Sequence, residues 1–107
     1  MDRGVGRIVS ALEESGVLEE TLLLFLSDNG GLSTSEEGAP TSNLPYAEGK
    51  GWSEEGGLRI PLLVRWPRRE PAQRVVDDTV WQCDLFPTFL AAAGLPLEPD
   101  RHADGVD

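Results

Sequence analysis

The sequence is poor in cysteine and in basic residues, and each shortage excludes a class of protein. Cys83 is the single cysteine among 107 residues, so there is no internal disulfide framework. The 9 lysines and arginines face 19 acidic residues, for a formal net charge of −10. Because nucleic-acid phosphates require a basic protein surface, this balance argues against a nucleic-acid partner.

Long apolar runs are also lacking. No uninterrupted apolar stretch reaches the roughly 20 residues that a transmembrane helix needs, so no membrane span is predicted. Residues 21–26 form a short apolar run that ends at the turn-forming residues 27–31. That length and that ending are typical of a fully buried strand in a parallel sheet.

Two segments have the pattern of helices. Residues 2–15 place Val5, Ile8 and Leu12 at helical spacing, with Gly16 after the last turn. Residues 84–93 form the second predicted helix.

The second predicted helix has signals at both ends. Asp84 is a candidate N-cap, Pro87 falls in the first turn, where its missing N–H costs little, and Gly94 ends the helix. Residues 60–67 are predicted to be another strand, and residues 75–81 a short edge strand. A helix followed by a buried strand is half of a βαβ unit, so the predicted class is α/β.

The candidate metal ligands follow the buried run. Asp28 and Asn29 lie where the strand would end, which is the ligand-binding edge of an open α/β sheet. Their carboxylate and amide oxygens are hard ligands suited to Ca²⁺ or Mg²⁺. An ordinary turn is the alternative interpretation, because Asp-Asn-Gly is also a common turn sequence.

Lys50 is the only lysine, and Gly49 and Gly51 flank it. A compact ammonium between two glycines is suited to contact a sulfate or phosphate oxygen. The alternative is an ordinary exposed loop lysine. Arg59, which follows, is predicted to pair with Glu54 or Glu55 rather than to bind an anion.

These segments resemble the sulfatase family of the alkaline phosphatase superfamily. Residues 27–31 are similar to its metal-binding strand end, and residues 49–61 to its lysine motif and the segment after it. Residues 84–89 resemble a late helix, and residues 104–106 a closing turn. The two main motifs occur in the family's order, about 20 residues apart, and the combination is more specific than either motif alone.

The resemblance implies that residues 1–107 are the C-terminal segment of a sulfatase catalytic domain, part of an alkaline-phosphatase-like sandwich with a mostly parallel sheet flanked by helices. It implies that Asp28 and Asn29 bind one Ca²⁺ and that Lys50 contacts the sulfate ester. The implied substrates are sulfated sugars or aryl sulfates. Export to the periplasm or secretion is the implied location of the full-length protein.

The nucleophile expected from the family is missing from this sequence. Sulfatases make a formylglycine from Cys or Ser within Cys/Ser-x-Pro-x-Arg, whereas Cys83 has Pro87 four residues on and no arginine after it. Cys83 is instead predicted to be a small buried residue, and His102 to be a solvated tail residue. We therefore expect no turnover from the isolated chain, and weak Ca²⁺ affinity from only two ligands.

Two other functions stay open at this point. One is a phosphoesterase or phosphonate hydrolase of the same superfamily. Asn29 counts against it, because two-metal sites that hold zinc favour imidazole at that position. The other is a non-catalytic acidic module that binds a protein or a polysaccharide through the loop of residues 30–57.

Overall fold

The computed structural model describes residues 1–34, 38–67, 69, 73–98, 100 and 104–107. The chain divides into two compact units, Met1–Pro71 and Ala72–Asp107. The first unit contains helix α1 (Asp2–Glu14), strand β1 (Leu23–Leu26), a one-turn helix α2 (Glu55–Leu58) and strand β2 (Leu62–Arg65). The second contains helix α3 (Leu85–Ala92).

Helix α1 confirms the first helical prediction. Val5 and Leu12 are half-buried, as the amphipathic pattern predicts, but Ile8 is 56% exposed. Gly16 takes the left-handed conformation (φ 70°) in which glycine commonly ends a helix. A short 3₁₀ helix, Leu18–Glu20, then leads into β1.

Strands β1 and β2 pair in antiparallel register, with Leu23 opposite Arg65 and Leu26 opposite Leu62. Both predicted strands are therefore present, and the α/β class is confirmed. Within the described residues the sheet has these two strands only, so the mostly parallel arrangement stays a prediction. The antiparallel direction arises because the long loop and α2 turn the chain back along β1.

The full burial that is typical of a run like β1 is not reached within the described residues. Phe25 is 37% exposed, and Leu63 on β2 is 59% exposed. A strand that belongs to a sheet with helices on both faces reads as a continuous apolar run. In the described residues no layer covers both faces of the β1–β2 pair. Apolar side chains of both strands therefore stay exposed.

Arg65 ties the start of β1 to the end of β2. Its guanidinium donates to the Leu18 carbonyl at 2.8 Å and pairs with the Glu19 carboxylate at 2.5 Å. Arg65 thus links the 3₁₀ helix to the end of β2. These bonds involve a charged group, and such hydrogen bonds are stronger than neutral ones.

In the second unit, α3 confirms the second helical prediction, and Gly94 (φ 68°) ends it. Pro87 lies in the first turn and is the fully buried side chain of this helix. The predicted edge strand at residues 75–81 is wrong, because those residues form no strand. Val75 is 92% exposed, and an isolated segment has no neighbouring strand to satisfy its backbone.

None of the helices among the described residues has the length and apolar character required to cross a membrane.

Candidate active site

The turn after β1 carries the two predicted metal ligands. Asp28 is exposed and Asn29 half-buried, and Ser27 separates them from Leu26, the last residue of the strand. The Ser27 hydroxyl donates to the Asn29 carbonyl at 2.8 Å, which bends the backbone into the turn. The two side chains therefore leave the sheet at its end, where the sequence predicted them.

Gly30 and Gly31 pack this turn against the far end of the long loop. Gly30 is buried, and its N–H donates to the Gly57 carbonyl at 2.8 Å. A Cβ added to Gly30 would overlap the Gly56 carbonyl. Glycine is needed here because the two backbones touch, which is the close approach that a side chain prevents.

The lysine motif joins the same cluster through its backbone. The Lys50 N–H donates to the Gly31 carbonyl at 3.0 Å. Gly49 is buried, and a Cβ there would meet the Gly31 carbonyl and the Ser33 hydroxyl. Asp28 is three residues from Gly31, at most about 11 Å along the chain. The structure thus brings together two motifs about 20 residues apart in sequence.

The Lys50 side chain is exposed. Within the part of the chain that the structure describes, its ammonium forms no ion pair, since the ion pairs there are those of Arg59 and Arg65. The turn that carries it includes Glu48 (φ 61°) and Gly51 (φ 91°), both in the left-handed region. This conformation sets the direction in which Lys50 leaves the backbone.

Asn43 is a central residue of this cluster that the sequence reasoning missed. Its Oδ1 accepts from the Gly31 N–H at 3.2 Å, and its Nδ2 donates to the Gly31 carbonyl at 2.8 Å. Nδ2 also lies 3.0 Å from the Ser33 hydroxyl and 2.9 Å from the Glu48 carbonyl. The available signal was an asparagine in a Ser-Asn-Leu-Pro turn, a residue type that commonly bonds to nearby backbone.

Arg59 has the structural role that the sequence predicted. Its guanidinium pairs with Glu55 at 3.5 Å, and it stacks on the Tyr46 ring with 4.9 Å to the centroid. Both charged side chains of the pair are well exposed, so the pair contributes little to stability. Trp52 is 54% exposed.

Comparison with known proteins identifies the family. The model of the Sulfatase family matches residues 1–95. The chain belongs to the sulfatase family. It is 45% identical over 111 residues to the steryl-sulfatase of Mus musculus, and 41% identical over 107 residues to the N-acetylgalactosamine-6-sulfatase of Canis lupus familiaris. Each alignment covers 100% of this chain.

A solved structure matches as well. The crystal structure of Ps i-CgsB in complex with k-i-k-neocarrahexaose superimposes with a TM-score of 0.86 and 42% identity, over 98% of this chain and 22% of that one. The chain spans about a fifth of its relatives, with 18% of the steryl-sulfatase and 20% of the N-acetylgalactosamine-6-sulfatase covered.

The residues predicted to bind a metal, Asp28 and Asn29, fall short of a complete metal site. The described residues of the chain contain no group of three or more His, Cys, Asp or Glu side chains arranged to hold a metal ion. Asp28 with the Asn29 amide supplies two hard oxygen donors, the chemistry that Ca²⁺ accepts. The donor set fits a hard cation but is far from the six to eight oxygens of a complete Ca²⁺ site.

Cys83 corrects another expectation. It is exposed rather than buried, and its thiol lies 3.1 Å from the Asp104 carbonyl. The Cys83 backbone packs against the closing turn at Gly105. A Cβ added to Gly105 would clash with the Cys83 backbone carbonyl. His102 lies outside the described residues.

Asp84 joins α3 to that closing turn. Its Oδ2 accepts from the Trp81 N–H at 2.8 Å, and its Oδ1 from the Val106 N–H at 3.0 Å. The hydrogen bond from Val106, followed by that from Trp81, lowers the pKa of the Asp84 carboxyl. Asp84 precedes α3 as predicted, but its carboxylate caps the 3₁₀ turn Gln82–Asp84 and holds the closing turn instead of capping α3.

Proposed function

We propose that this chain is the charge-neutralising part of a sulfuric ester hydrolase, with Asp28 and Asn29 as ligands of one Ca²⁺ and Lys50 as the group that contacts the sulfate. The observation that carries the proposal is the hydrogen bond of 3.0 Å from the Lys50 N–H to the Gly31 carbonyl. It anchors the lysine turn beside the turn that holds the two oxygen donors.

The chemistry of a sulfate ester suits this arrangement. Its non-bridging oxygens carry negative charge, and an ammonium placed beside them stabilises that charge. A bound divalent cation supplies a further positive charge to the same oxygens. Lys50 is exposed, so its ammonium is accessible to an ester that approaches from solvent.

The nucleophile and the remaining metal ligands lie elsewhere in the full-length polypeptide under this proposal. The same larger domain would supply the mostly parallel sheet of an alkaline-phosphatase-like sandwich and would cover the apolar faces of β1 and β2. Supporting this, Phe25 and Leu63 are exposed here, although strands of that kind are normally covered on both faces.

The relatives act, by their names, on a steryl sulfate and on N-acetylgalactosamine 6-sulfate. For this chain we propose a sulfate ester of a sugar or of an aryl alcohol as the substrate. The choice of alcohol is left to residues outside this segment.

The test is turnover of an aryl sulfate and of a 6-sulfated amino sugar by the full-length polypeptide that carries this segment. Lys50→Ala is expected to lower kcat/KM by about 100-fold or more, the cost of losing one oxyanion-stabilising donor. Arg7→Ala is the matched control, because Arg7 is an exposed cation on α1, and its activity should stay at the wild-type level. Unchanged turnover in Lys50→Ala, with folding intact, contradicts the proposal and favours a binding module.

The metal ligands need a separate readout. Titration calorimetry with Ca²⁺ should show high affinity for the full-length polypeptide and weak affinity for the 107-residue chain, because two ligands are too few. Asp28→Asn is expected to weaken Ca²⁺ binding in the full-length polypeptide by at least about 10-fold. Equal affinity in the variant would remove Asp28 from the ligand set. The 107-residue chain is also expected to show no sulfate-ester turnover.

A further inference from the structure

We infer that Asn43 is a positioning residue for Lys50: its side-chain amide locks the lysine turn onto the turn after β1 and so sets where the ammonium stands. The inference rests on the proposed function for its catalytic consequence, while its structural content stands on hydrogen bonds alone.

The first step is that the Asn43 amide forms hydrogen bonds with both the N–H and the carbonyl of Gly31. Oδ1 accepts from the Gly31 N–H at 3.2 Å, and Nδ2 donates to the Gly31 carbonyl at 2.8 Å. At neutral pH the side-chain amide offers a donor and an acceptor side by side, which an ionised carboxylate does not. The orientation of the amide is also determined, because Nδ2 faces oxygens and Oδ1 faces an N–H.

The second step is that the same amide reaches the lysine turn. Nδ2 lies 2.9 Å from the Glu48 carbonyl and 3.0 Å from the Ser33 hydroxyl, and these two acceptors share its second N–H. The Ser33 hydroxyl in turn donates to the Glu48 carbonyl at 2.7 Å. Glu48 has a left-handed φ of 61°, a conformation that costs free energy for a residue other than glycine. The hydrogen bonds of its carbonyl oppose that cost.

The third step is that Lys50 shares its acceptor with Asn43. The Gly31 carbonyl accepts from the Lys50 N–H at 3.0 Å as well as from Nδ2. Gly49, between Glu48 and Lys50, is buried, and a Cβ there would lie 2.7 Å from Nδ2. The lysine turn is therefore held by a close-packed set of polar atoms, which we call the Asn43 network: the Asn43 amide with Gly31, Ser33 and Glu48.

The consequence is that removal of the Asn43 amide loosens the lysine turn but leaves the charge of the Lys50 ammonium unchanged. A displacement of about 1 Å in a group that contacts the reacting atoms can cost on the order of 100-fold in rate. Asn43→Ala is therefore expected to lower kcat/KM for a sulfate ester by about that factor in the full-length polypeptide. Ser42→Ala is the matched control, because the Ser42 hydroxyl only accepts a long 3.4 Å bond from the Leu44 N–H.

A double-variant cycle separates positioning from general stability. If Asn43 acts through Lys50, Asn43→Ala should change turnover by less than about 3-fold in a Lys50→Ala background, since coupled residues are not additive. A full 100-fold further loss in that background overturns the inference, because Asn43 would then act independently of Lys50.

Amide hydrogen exchange tests the structural content without any catalysis. In Asn43→Ala the Lys50 amide should exchange at least about 10-fold faster, whereas the Leu12 amide in α1 should keep its protection. Should Asn43→Ala prevent folding, Ser33→Ala removes the two hydrogen bonds of the Ser33 hydroxyl from the network and is expected to speed Lys50 exchange by about 5-fold. Unchanged Lys50 exchange, or equal acceleration at Leu12, overturns the inference. Unchanged turnover in Lys50→Ala alone refutes the proposed function and leaves the exchange result valid.

Discussion

Two irregular regions of the chain are each held by one side chain, but by side chains of different chemistry. In the first unit the Asn43 amide donates and accepts, and it bonds to Gly31 through both of its polar atoms. In the second unit the Asp84 carboxylate only accepts, from the Trp81 and Val106 N–H groups. A neutral amide binds mixed donors and acceptors at any pH, whereas a carboxylate binds donors alone and depends on its charge.

The difference suits the task that each region has. Asn43 faces the Gly31 and Glu48 carbonyls as well as the Gly31 N–H group, so a donor and an acceptor are both required. The closing turn offers only N–H groups to Asp84, and ionised oxygens accept such bonds more strongly than neutral ones. The turn that carries Lys50 is thus held by the neutral Asn43 amide. This amide adds no negative charge that would neutralise the Lys50 ammonium.

The largest effect is expected from breaking the first region at its closest contact. In Gly30→Ala the new methyl overlaps the Gly56 carbonyl, so the two backbones must separate. We expect a loss of about 3 kcal/mol in the free energy of unfolding, at the upper end for overpacking. Urea denaturation of the full-length polypeptide measures it.

Gly6→Ala is the control for that substitution. Nothing lies within 4 Å of a Cβ at Gly6 in α1, so alanine should stabilise the helix by about 0.5–1 kcal/mol. Equal effects at the two positions would mean that backbone contact at Gly30 is not what packs the turns.

The second-largest effect is expected when Asn43 is replaced by a carboxylate, the group that Asp84 supplies in the second region. Asn43→Asp keeps the shape and the bond from the Gly31 N–H, but it places a carboxylate against the Gly31 and Glu48 carbonyls. A loss of about 2 kcal/mol is expected at neutral pH, from unmade bonds and repulsion. Below about pH 4 the carboxyl is protonated and can donate once, so part of the loss should be recovered.

Unfolding curves at pH 7 and pH 3.5 for Asn43→Asp and wild type measure this difference. A loss that does not change with pH would indicate that shape, rather than hydrogen-bond donation, matters at Asn43.

The third effect is the pH response of the second region. Because the pKa of Asp84 is lowered in the folded state by the Val106 and Trp81 N–H groups, its contribution is complete above about pH 4, the unfolded value. It is lost as the pH falls through the lower folded pKa. The Val106 amide, corrected for the intrinsic pH dependence of exchange, should therefore lose protection in acid, while the Lys50 amide should not.

Asp84→Asn is the matched variant for that response. It should weaken Val106 protection at neutral pH and abolish its dependence on acid. Acid sensitivity that persists in Asp84→Asn would assign the response to another carboxylate.

The smallest effect is expected at the surface pair of the first region. Glu55→Gln removes the 3.5 Å pair with Arg59, whose side chains are 64% and 56% exposed. Less than about 0.5 kcal/mol should be lost, and nothing at 1 M salt, because exposed pairs are screened. Arg59 keeps its contact with the Tyr46 ring. A larger loss in urea denaturation would show that the pair helps to pack α2.

The local elements could be predicted because their signals are local. Helix α1 ends at a glycine that the sequence marks, and α3 begins and ends where Asp84 and Gly94 predict. The edge strand at residues 75–81 was wrong because strand formation needs a partner strand, which no local pattern guarantees. The burial of β1 was overestimated because burial depends on the layers that pack against a strand, and an apolar run does not specify those layers.

By itself the sequence determined the family, the two helices, the two strands and the identity of Asp28, Asn29 and Lys50 as the site candidates, whose roles stay predictions. It did so because charge, ligand type and glycine placement are properties of individual residues and short spacings. Only the tertiary structure decided that the Lys50 N–H bonds to the Gly31 carbonyl and that Asn43 bonds to both Gly31 and the lysine turn. It also decided that Cys83 is exposed. Those facts depend on contacts between residues far apart in the chain, which spacing does not encode.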